Sequence, residues 1–71
     1  MINVPNKLGR FDSIVNAAKT GDVEKTYEAV IANLITINQI IRSSAITVMK
    51  YNEFRRELEN FSEELELKKN G

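Results

Sequence analysis

The sequence reads as an all-α chain: a short N-terminal helix, then a long helical hairpin, assembling into a homo-oligomeric helical bundle. Three observations carry this reading. From Val23 to Lys69 there is no Gly and no Pro, the two residues that most strongly interrupt helices. Apolar residues recur at alternating three- and four-residue spacing, the period of one helix face. Between Ala29 and Met49 the chain carries one charge, Arg42, while the remaining residues hold nineteen of the twenty. A helix that buries only one face keeps charge on the other, so this segment is expected to be covered on more than one side.

The elements follow in order. Residues 1–6 read as irregular, with Pro5 and Asn6 as turn formers. Leu8, Phe11, Ile14, Val15 and Ala18 then share one face, which predicts a first helix over about 8–20. Thr20-Gly21-Asp22 is the clearest punctuation in the chain. Gly21 suits the left-handed position after a helix end, and Asp22 suits the N-cap of the next helix, with Glu24 complementing its dipole. The run from Ala17 to Glu24 resembles the helix-turn-helix joints of ankyrin and similar helical repeats. The likeness covers one joint without a second copy, so it implies an αα-corner and no family.

Beyond that joint, a rotation of about 100° per residue groups Tyr27, Val30, Ile31, Leu34, Ile37, Ile41 and Val48 on one stripe. Tyr51, Phe54, Leu58, Phe61 and Leu65 form a second stripe, roughly 160° round from the first. A straight helix would point the two halves at opposite partners. A turn near Arg42-Ser43-Ser44, or slightly later near Tyr51-Asn52, brings both stripes inward. The expected second helix is 23–42 and the third 45–69, with Ser43 or Ser44 available as its cap. Lys68 and Lys69 suit the negative pole of its C-terminus.

Composition narrows the function classes. Seventy-one residues make one domain, 1–71, close to the size limit of independent stability. Without Cys or His, neither disulfides nor the usual transition-metal ligands can compensate, which leaves helix packing or oligomerisation. The lack of Cys and of a signal peptide leads us to expect a cytoplasmic protein. Ten basic and ten acidic residues balance, which argues against general affinity for nucleic acid or anionic membrane. The 29–49 segment has the length of a membrane span, but Asn33, Asn38, Gln39 and Arg42 make insertion costly.

No catalytic or cofactor motif emerges. Nucleophilic sites of the Ser–His or Cys–His kind lack their base, and Gly9, Gly21 and Gly71 are too scattered to cradle a phosphate. Glu53, Glu57, Glu59, Glu63, Glu64 and Glu66 read as the solvated surface of the last helix. Asn38, near the centre of the first stripe, has the character of a buried amide that sets register and oligomer state. Arg42 reads as a marker of a solvent-facing turn.

The expected oligomer interface is therefore Tyr27, Val30, Leu34, Ile37, Asn38, Ile41 and Val48. Arg42, Tyr51, Phe54 and Arg55 are the candidates for contact with another protein, because arginine beside aromatic residues suits an interface hot spot. The expectation is a non-enzymatic homo-oligomer, a dimer or higher, that engages another protein as a regulator, inhibitor or assembly subunit. Its form fits the small accessory proteins of phages and mobile elements. Two other classes compete: a DNA-binding regulator using Lys7, Arg10, Lys19 and Lys25, and a small-ligand binder with a pocket around Asn38 and Arg42.

Overall fold

A computed structural model describes residues 1–43 and 49–70. These residues form a 3-10 turn at Asn6–Leu8 and three α-helices: α1, Asp12–Lys19; α2, Val23–Ser43; α3, Met49–Asn70. There is no strand among the described residues. The expected third-helix positions 45–48, with Ser44 and Val48, lie outside the described residues.

The N-terminal segment is tied down by the first helix. The Ile2 N–H donates to the Ala18 carbonyl at 3.0 Å, and its side chain is buried. Leu8, at the end of the 3-10 turn, is fully buried. The first helix is shorter than the periodicity predicts. Leu8 keeps its apolar direction through the turn, Phe11 is extended at φ −90°, and the helix begins at Asp12. Periodicity alone cannot separate a 3-10 turn followed by an extended residue from one more helical turn.

The α1–α2 joint is built from local chemistry. Gly21 has φ +78°, the left-handed region open to a residue without Cβ. The Thr20 hydroxyl donates to the Ala17 carbonyl and accepts from the Asp22 N–H. Asp22 Oδ1 accepts from the Lys25 N–H at 3.1 Å, satisfying a donor that the first turn of α2 leaves open. Thr26 is the buried polar residue among the described residues, and its hydroxyl donates to the Asp22 carbonyl at 2.8 Å.

The core joins every element. Ile2, Leu8, Ile14, Ala18, Val30, Ile37, Leu58, Phe61 and Leu65 are buried together. α2 packs against both α1 and α3. The start of α2 lies beside the end of α3: the Tyr27 hydroxyl donates to Glu66 at 2.7 Å, and Glu24 pairs with Lys69 at 3.3 Å. At the other flank, Asn33 Nδ2 donates to Ser13 Oγ of α1 at 2.9 Å and to the Ala29 carbonyl at 2.8 Å.

Candidate interaction surface

The two faces of α2 have opposite characters. Val30 and Ile37 are buried in the chain's own core. Tyr27, Leu34 and Ile41 are half-buried and packed against it. These five residues, expected at a contact between copies, belong to or border the core that α2 forms with α1 and α3. The same core takes in Ile2, whose burial no periodic pattern reveals, and Leu8 from the 3-10 turn. Asn38 is half-buried at the edge of this face. Another amide, Asn33, bridges α1 and α2 within the chain through Ser13.

The opposite face of α2 points outward. Ala32, Ile35, Thr36 and Gln39 are exposed, and Ile31 is half-buried. Ile35 keeps 54% of its surface accessible. No charged residue interrupts this face between Glu28 and Arg42. Arg42 is exposed in the last turn of α2, where a cation complements the helix dipole. Ser43 is the final residue of α2 rather than a cap for α3, and its hydroxyl donates back to the Gln39 carbonyl at 2.9 Å.

The aromatic–arginine candidates on α3 separate. Phe54 is half-buried, edge-on to Phe11 with ring centroids 5.6 Å apart, and the Arg10 guanidinium lies 5.1 Å from its ring centroid. Phe54 therefore docks the N-terminal segment onto α3. Arg55 is half-buried, and Tyr51 sits at the boundary of exposure. Sequence spacing within α3 cannot expose this role, because both partners of Phe54 come from residues 10 and 11.

The basic candidates for DNA contact differ in their surroundings. Arg10 is engaged with Phe54. Lys7, Lys19 and Lys25 are exposed, with Asp12, Asp22 and Glu24 also exposed in the same stretch of chain. An open depression of about 260 Å³ is lined by Met49, Asn52, Glu53 and Arg56, not by Asn38 and Arg42. Among the described residues no cluster of three or more metal-ligating side chains is present. Nor, among those residues, is any helix long and apolar enough to cross a membrane.

The electrostatics concentrate at the α2–α3 end. The hydrogen bond to Glu66 raises the Tyr27 phenol above its usual value near 10, with desolvation and the Glu66 charge acting in the same direction. Lys69 lies 5.5 Å from the centroid of the same ring and pairs with Glu24. This cluster joins the start of α2 to the end of α3.

The chain matches no family model, no curated protein and no solved structure.

Proposed function

We propose that this chain is a non-enzymatic helical interaction module: a helical hairpin that self-associates and, so assembled, engages another protein as a regulator, inhibitor or assembly subunit. One observation carries the reading. The outward face of α2, from Ile31 to Gln39, is uncharged and presents Ile35 to solvent. Solvent-facing helix surfaces ordinarily carry charge, as α3 does with Glu53, Glu59, Glu63 and Glu64. Leaving that rule over about two and a half turns of the most central helix costs nothing when the face is covered in the working state. Depletion of charge is also the compositional mark of an interface core.

Sedimentation velocity and multi-angle light scattering over a micromolar concentration series test this. The expected result is a mass at or above twice the 8.1 kDa chain, with its population rising with concentration. A folded species that stays monomeric throughout the series overturns it.

A further inference from the structure

The outward face of α2 has an internal symmetry that identifies one occupant. Viewed down the helix at about 100° per residue, Glu28, Ile31, Ile35, Gln39 and Arg42 fall within roughly 40° of the Ile35 direction. Ile35 is the midpoint. Glu28 precedes it by seven residues and Arg42 follows it by seven; Ile31 and Gln39 stand four residues either side. An acid and a base therefore close the two ends of one uncharged band. Each end lies about 10 Å from the centre along the axis, at 1.5 Å per residue.

We propose that a second copy of this chain covers this face, with the two α2 helices antiparallel about a two-fold axis through Ile35. The inference rests on the self-association proposed above and specifies its surface. In a two-fold interface, contacts are reciprocal. Ile35 meets its own counterpart, Ile31 meets Gln39, and Glu28 meets Arg42 at both rims. A parallel pairing in register would instead set Glu28 against Glu28 and Arg42 against Arg42. Charges at the edge of an interface act mainly on orientation and register, and like-charge pairing excludes alternatives. Among the described residues neither Glu28 nor Arg42 has an ion-pair partner within the chain, and both are exposed.

Charge exchange tests the register. Glu28→Lys and Arg42→Glu are each expected to weaken the dimer by about tenfold or more, by placing like charges together at both rims. The double variant E28K/R42E restores opposite pairs and is expected to recover the parent affinity. Circular dichroism confirms that each variant keeps its helix content. A second measurement uses the absence of native Cys. Under mild oxidation, Ile35→Cys is expected to give a disulfide-linked dimer, because the two-fold axis holds equivalent side chains together. Glu63→Cys, on α3, is the control and stays unlinked. If the parent dimerises but the double variant fails to recover and Ile35→Cys links no faster than the control, this interface is overturned while self-association stands. If the parent remains monomeric, both readings fail.

Discussion

Tyr27 shows how one residue joins two helices and gives the contact a pH dependence. Its hydroxyl donates to Glu66, and that bond exists only while the phenol is protonated. The folded state therefore raises the phenol above its unfolded value. The contribution is complete below pH 10 and is lost as pH rises through the higher folded-state value. Tyr27→Phe is expected to melt slightly below the parent at pH 7 and to converge with it in strongly alkaline buffer. Thermal melts of both proteins from pH 7 to pH 11.5 check this; a gap that stays constant excludes the bond as its cause. Leu58 works by packing alone. It is fully buried at the centre of the core, and Leu58→Ala is expected to cost about 2–5 kcal/mol through lost burial and the cavity left behind. Small domains have only about 5–15 kcal/mol in total, so urea denaturation should show a large drop in midpoint or an unfolded chain.

At the scale of elements, what is legible in the sequence depends on how far the signal extends. The α1–α2 joint is legible because its causes are local. Gly21 takes the left-handed conformation, and Asp22 accepts from an N–H three residues on. Two substitutions separate these causes. A Cβ at Gly21 would meet only the Met1 nitrogen, at an ordinary 3.8 Å, so Gly21→Ala has no steric obstacle. Its expected cost, about 1–2 kcal/mol, comes from the positive φ alone. Asp22→Ala removes the cap and is expected to cost about 1 kcal/mol. Differential scanning calorimetry of the two variants checks both; a destabilisation confined to Asp22 would remove the strain argument. The start of α1 is less legible. The Leu8–Phe11 spacing fits a helix, whereas a 3-10 turn ends at Leu8 and Phe11 is extended. What holds Phe11 there is Phe54, forty-three residues away, and no local pattern encodes that contact.

At the scale of the molecule, the stripes of α2 and α3 mark the chain's internal core, and the surface left over lies on the other side of α2. Charge depletion in the sequence marks α2 as a helix with little charged surface on either side, but it does not say which side is covered by the chain itself. The packing of α2 against α1 and α3 decides that, and it joins residues far apart in the sequence. The same question, what is covered from within and what from another copy, applies to the α2–α3 contact. The start of α2 meets the end of α3 through Glu24 and Lys69, and the longest extent of the structure is 39 Å. A continuous helix would hold residues 25 and 68 about 65 Å apart, at 1.5 Å per residue. Side-by-side helices place them near one interaxial spacing, about 10 Å, plus the reach of the labels. Spin labels at Lys25 and Lys68, both exposed, read the difference by dipolar spectroscopy. Expected is one short distance that persists when labelled protein is diluted into a large excess of unlabelled protein. Loss of that distance on dilution would mean that α3 packs on the α2 of another copy. The chain would then complete its core by exchanging helices, and the α2–α3 contact would itself be the oligomer interface.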